Sequence, residues 1–85
     1  MSEEPILKVY IKPGCPWCVD AIAYLKKDGF QFEEIDVYAD PAMYQEMKDL
    51  SGQSSAPTLT YGELLLADFG VDEMQAFFNQ HNIAP

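Results

Sequence analysis

Hydrophobic and polar positions alternate with strand period from Ile6 to Lys12: Leu7, Val9 and Ile11 fall on one side, Lys8, Tyr10 and Lys12 on the other. Pro13-Gly14 breaks the run. From Pro16 to Asp28 the spacing becomes helical, with Cys18, Ile22 and Leu25 on one face, and Gly29 is the residue favoured just past a helix end. Phe30 to Val37, rich in aromatic and β-branched residues, predicts a second strand. Asp40-Pro41 predicts a helix start, because the Asp side chain caps free backbone N–H groups and Pro suits the first turn. Met43, Tyr44, Met47 and Leu50 form the apolar stripe of that helix, and Ser51-Gly52 closes it. Thr58-Leu59-Thr60-Tyr61 and Leu64-Leu65-Leu66-Ala67, separated by Gly62-Glu63, predict a hairpin. The last helix carries Val71, Met74, Phe77, Phe78 and His81 on one face, with Asp72 and Glu73 complementing the dipole at its start.

The resulting order is β-α-β-α-β-β-α. Two strands joined by a helix run parallel, and a hairpin is antiparallel, so these elements predict an α/β fold with a four-stranded mixed sheet flanked by three helices. A length of 85 residues predicts one domain over residues 1–85. The sequence has no repeats, linkers or low-complexity segments.

Charge narrows the function. Fourteen acidic residues face five basic ones, all lysine, for a net charge of −9. Affinity for phosphate backbones comes from Lys and Arg, so this balance argues against nucleic acid and against anionic membrane surfaces. A hydrophobic share of 48% argues against disorder. Residues Met1 to Pro5 lack the basic-then-apolar pattern of a signal peptide, and no apolar run approaches the ~20 residues of a membrane span. A cytoplasmic monomer is the expectation. Thiols are kept reduced there, so a close cysteine pair reads as catalytic or metal-binding before it reads as a staple.

Such a pair exists. Lys12-Pro13-Gly14-Cys15-Pro16-Trp17-Cys18 holds both cysteines of the chain, between the first strand and the first helix. Residues three apart in a helix have Cα atoms roughly 5 Å apart, within disulfide range. Free N–H groups and the dipole at the helix start stabilise a thiolate, the species that attacks a disulfide. Cys15, at the helix start, is the expected exposed nucleophile; Cys18, on the face of Ile22 and Leu25, is the expected buried resolving thiol. Pro16 suits the first helical position, and Lys12 is the cation placed to support the thiolate or an anionic substrate.

The alternatives fit less well. A structural disulfide requires an oxidising compartment. A zinc site requires about four ligands, and Cys15, Cys18 and the distant His81 do not supply them, so no metal is expected. An incidental core pair leaves the Pro-Gly lead-in unexplained. Trp17 belongs on the rim of the site, Gln53 reads equally as a substrate contact or a polar loop residue, and His81 reads as a partly buried structural residue.

These residues resemble the glutaredoxin family. Tyr10-Ile11-Lys12-Pro13-Gly14-Cys15-Pro16-Trp17-Cys18 is similar to the family's opening strand and Cys-Pro-Tyr-Cys site, with Trp17 in place of Tyr. Ser51-Gly52-Gln53-Ser54-Ser55-Ala56-Pro57-Thr58 resembles its Thr-Gly-Gln/Arg-x-Val-Pro segment. The resemblance implies a thioredoxin fold with a cis Ala56–Pro57 bond beside the cysteines. It also implies glutathione as co-substrate, with no tightly bound cofactor, held by Lys12, Trp17, Ala56 beside Pro57, and the turn containing Asp72. Disulfide-containing proteins are the implied partners.

Two departures qualify what is implied. Asp20 stands where many glutaredoxins carry Lys or Arg. At the start of the last helix, Ala67-Asp68-Phe69-Gly70-Val71-Asp72-Glu73-Met74 replaces the family's Gly-Gly-x-Asp-Asp turn and is closer to the Leu-Ser-Gly-Phe-x-Pro-Asp-x-Leu run of small glutaredoxin-like redoxins. Those serve ribonucleotide reductase and are recharged by thioredoxin reductase. A further implied alternative is a dimer bridging a [2Fe–2S] cluster through Cys15 and glutathione, which Pro16 and the competing thiol of Cys18 oppose.

Overall fold

The computed structural model describes residues 5–85, and the reading of residues 1–4 as free of a signal pattern lies outside them. The elements are β1 (Leu7–Ile11), α1 (Pro16–Lys27), β2 (Glu33–Asp36), α2 (Pro41–Ser51), β3 (Thr58–Tyr61), β4 (Leu64–Ala67) and α3 (Val71–His81). They form one mixed sheet in the order β2-β1-β3-β4. β1 runs parallel to β2, with Lys8 opposite Glu33 and Ile11 opposite Asp36, and antiparallel to β3, with Tyr10 opposite Thr58. Thr58 in turn faces Ala67 across the β3–β4 hairpin. This is the mixed sheet read from the sequence pattern and the thioredoxin fold that the resemblance implies.

Register explains where chemistry collects. The end of β1, the start of β3 and the end of β4 lie side by side, so the segments beyond them meet at one edge of the sheet. Those segments are Lys12 to Cys15, Ala56-Pro57 and Asp68 to Gly70.

The sheet is covered on both faces, as sheets with helical crossovers are. One cluster joins Leu7, Val9 and Leu59 to Ala21 and Leu25 of α1 and to Met74, Phe77 and Phe78 of α3. The other joins Tyr10, Ile35 and Val37 to Met47 of α2. Tyr10, on the polar side of the strand pattern, is therefore buried, and its hydroxyl donates a 2.9 Å hydrogen bond to Glu46. That bond gives the buried polar atom a partner.

Two expectations are corrected. The second strand is shorter than Phe30 to Val37, because α1 ends in a paired hydrogen-bond motif: the Phe30 N–H donates to Leu25 and the Gly29 N–H to Lys26. With its N–H committed there, Phe30 stays off the ladder, and Phe30 and Phe32 pack against the first cluster. Leu50 is 54% exposed. The cluster under α2 is complete with Met47, flanked by Met43 and Tyr44, and leaves Leu50 outside.

Replacing Leu25, which is fully buried, by Ala should cost about 2–5 kcal/mol in denaturant unfolding. Leu50→Ala should change stability by less than about 0.5 kcal/mol. Equal losses at both positions would contradict the packing described.

Candidate active site

The approach to the cysteines is a tight turn. The Cys15 N–H donates to the Lys12 carbonyl at 3.2 Å, Pro13 takes the second position, and Gly14 the third with φ of +81°. Pro then Gly in left-handed conformation is the pattern of a type II turn. It delivers Cys15 to the N-cap of α1, where φ is −86° and ψ is 115°, and Pro16 occupies the first helical position without losing a hydrogen bond.

The two sulfurs differ. Cys15 is partly exposed, and its Sγ accepts a hydrogen bond from the Cys18 N–H at 3.3 Å. The sulfur thus fills the role that an oxygen takes in an ordinary N-cap. Its thiol also points at the Ala56 carbonyl, 3.8 Å away. Cys18 is only 2% exposed. Burial pushes its thiol up from 9.0 to about 12; the hydrogen bond with Cys15 adds to the rise, while the backbone and charge of Lys12 oppose it.

Ala56–Pro57 is cis, as the resemblance implied. The loop before it is fastened by Gln53. Its Nε2 donates to Ser51 Oγ at 3.0 Å, to the Ser55 carbonyl and to Thr58 Oγ1 at 3.2 Å, while its Oε1 accepts from the Ser55 N–H. Both ends of the amide are engaged within the chain, so Gln53 is a loop staple. Thr58 is buried and returns a 2.9 Å bond to Ser55. The Asp68 N–H donates to the Pro57 carbonyl at 2.9 Å, which ties the approach of α3 to the same loop.

Trp17 is 61% exposed on the rim. Its indole rests on Gly70: a Cβ there would fall 2.7 Å from Trp17 Cζ3 and 3.0 Å from Glu73 Oε1. The absence of a side chain at Gly70 is what admits the ring. The Glu73 carboxylate accepts a 2.6 Å bond from the Gly70 N–H, half of a capping box. Asp72 is exposed in the same first turn. Lys12 extends toward aromatic rings, its Nζ 5.2 Å from the Tyr44 centroid and 6.0 Å from that of Tyr38, while Lys48 Nζ lies 4.8 Å from Tyr44. His81 is distant from this edge and packs on Phe77, with ring centroids 4.7 Å apart.

Of the residues singled out in the sequence, Cys15, Cys18, Lys12, Trp17, Ala56, Pro57 and Asp72 all belong to this edge. Tyr38, Tyr44, Gly70 and Glu73 join them, although the sequence alone does not assign them to the site. Their signal was partly present, since Glu73 three residues after Gly70 is capping-box spacing.

An N-cap cysteine, a second thiol in the following turn and an adjacent cis-proline loop on this sheet define a thiol–disulfide exchange site. The glutaredoxin family model matches residues 7–66. A glutaredoxin of Neisseria meningitidis is 39% identical over 62 residues, covering 72% of this chain and 73% of that protein. An uncharacterized glutaredoxin-like 8.6 kDa protein in the rubredoxin operon of Clostridium pasteurianum is 32% identical over 69 residues, covering 81% of this chain and 92% of its own length. The crystal structure of the thioredoxin-like protein BC3987 superposes with a TM-score of 0.75 at 30% identity, covering 82% of this chain and 96% of that one. The chain belongs to the glutaredoxin family and is a thiol–disulfide oxidoreductase.

A thiol pushed up to about 12 is protonated at neutral pH and unreactive to alkylating agents. Iodoacetamide should therefore modify the native reduced protein at Cys15 only, as read by peptide mapping. In a Cys15→Ser variant, alkylation of Cys18 should still be climbing at about pH 10, since burial persists without Cys15. A plateau near about pH 8 would contradict the assignment.

Proposed function

We propose that this chain reduces protein disulfides and glutathione mixed disulfides by a two-thiol mechanism. The Cys15 thiolate attacks one substrate sulfur, forming a mixed disulfide and releasing the other sulfur as a thiolate that takes a proton from solvent. Cys18 loses its proton as it attacks the Cys15 sulfur, expelling the second substrate thiolate and leaving the Cys15–Cys18 disulfide. Two glutathione thiols then reduce that disulfide, becoming oxidised glutathione. The observation that carries the proposal is the inequality of the sulfurs: Cys15 is partly exposed at a helix end and accepts the Cys18 N–H, while Cys18 is sealed.

Glutathione is the proposed donor, held by Lys12, Trp17, Ala56 beside Pro57, and Asp72. Strand-like pairing of its backbone with Ala56 is favoured by the proximity of the Ala56 carbonyl to Cys15. The cytoplasm is the proposed location, consistent with the reduced thiols this chemistry requires. Pro16 and the Cys18 N–H hold Cys15 at the helix N-cap beside Cys18, which favours an intramolecular disulfide over a bridged cluster.

One observation favours a second donor. The Gly70 N–H, at the start of α3, is already taken by Glu73, which leaves that helix end less suited to a glutathione carboxylate. A flavoprotein thioredoxin reductase is the alternative source of electrons, with ribonucleotide reductase as the partner served.

The donors are separated by turnover on 2-hydroxyethyl disulfide, with glutathione and its reductase in one arm and NADPH with thioredoxin reductase in the other. Turnover in the first arm is the expected outcome. Turnover in the second alone would replace glutathione by the flavoprotein.

A further inference from the structure

We infer that Glu73 is a specificity-determining residue, which makes Cys15 favour disulfides carrying positive charge on the α3 side of the site. The inference rests on Cys15 being the attacking thiol, and is independent of which donor recharges the pair.

Glu73 is exposed, yet its carboxylate is fixed by the 2.6 Å bond from the Gly70 N–H. Gly70 is also where the Trp17 indole comes to rest, and Trp17 lies between the two cysteines. The ring and the carboxylate therefore converge on one residue, Gly70, and a substrate that reaches Cys15 over Trp17 has the Glu73 charge beside it. Asp68 and Asp72 stand exposed on the same turn, and no lysine occurs between Lys48 and the end of the chain. The opposite side carries Lys12 and, beyond Tyr44, Lys48. The α3 side of the site is thus negative, and the cation nearest the cysteines, Lys12, stands on the α2 side. A helix start normally attracts anions; here the chain supplies its own anion, which leaves an incoming carboxylate to meet repulsion and an ammonium to meet attraction.

The reaction used as probe is a single exchange. The Cys15 thiolate displaces one half of a symmetrical disulfide, the mixed disulfide forms, and the other half leaves as a thiolate. Three disulfides of similar size serve: cystamine, with two ammonium groups, 3,3′-dithiodipropionate, with two carboxylates, and the neutral 2-hydroxyethyl disulfide. The protein carries Cys18→Ser so that the adduct persists, and intact mass gives the rates at low ionic strength. Each charged-probe rate is divided by the neutral-probe rate of the same protein, which removes any general change in thiol reactivity.

Glu73→Gln keeps an oxygen to accept the Gly70 N–H and removes only the charge. The cystamine rate should fall and the dithiodipropionate rate should rise, so their ratio should fall by at least about fivefold, the scale of one close unit-charge interaction in water acting on a single probe, and the difference should shrink in about 1 M salt. Glu63→Gln, in the β3–β4 hairpin at the other end of the strands, makes the same change in net charge and should leave the ratio within about twofold of the parent, since a unit-charge interaction in water weakens in proportion to distance. An unchanged ratio in Glu73→Gln would overturn the inference, as would an equal fall in Glu63→Gln. Absence of any adduct with all three probes would overturn the reading of Cys15 itself, and the inference with it.

Discussion

The hydrogen bond from the Cys18 N–H to the Cys15 sulfur links sequence, fold and chemistry. It requires Cys15 at the helix N-cap and Cys18 in the first turn. That same geometry buries the second sulfur on the inward face of α1. Reactivity and concealment are thus two results of one arrangement. The three-residue spacing that makes a disulfide possible also makes its two members unequal, and unequal thiols suit a reaction in which one attacks and the other waits.

Everything around the pair serves to hold that junction at one sheet edge. The Lys12-Pro13-Gly14-Cys15 turn converts the end of β1 into the start of α1. The antiparallel pairing of Tyr10 with Thr58 brings Ala56-Pro57 alongside, and the Gln53 amide keeps that loop in shape through bonds to Ser51, Ser55 and Thr58. The Asp68 N–H on Pro57 and the Trp17 ring on Gly70 bring α3 to the same place. Substrate selection then depends on the charges the chain leaves along this edge, with Lys12 on one side and the acidic first turn of α3 on the other.

Much of this was legible in the amino-acid order because local signals and the global fold agree. Asp40-Pro41, Pro13-Gly14 and Gly62-Glu63 each mark a boundary through backbone chemistry that depends little on tertiary context, and the boundaries follow. The positions read otherwise or left open depend on contacts that exist only once the chain is folded. Phe30 looks like a strand residue until its N–H is found committed to Leu25. Leu50 continues a helical stripe, but the cluster under α2 ends before reaching it. Gln53 could face a substrate or the loop, and only the positions of Ser55 and Thr58 decide. Lys12 was legible as a cation near the site, whereas its approach to Tyr38 and Tyr44 needs α2 in place. The role of Gly70 is visible only with the indole lying on it.

The central claim is that Cys15 attacks and Cys18 does not. Its most direct measurement is the rate of mixed-disulfide formation with 2-hydroxyethyl disulfide at neutral pH, compared between Cys18→Ser and Cys15→Ser proteins by intact mass. The account predicts one rapid adduct on Cys15 in the first, and a rate at least about 50-fold slower on Cys18 in the second, because a buried, protonated thiol supplies almost no thiolate. Comparable rates in the two proteins would contradict it.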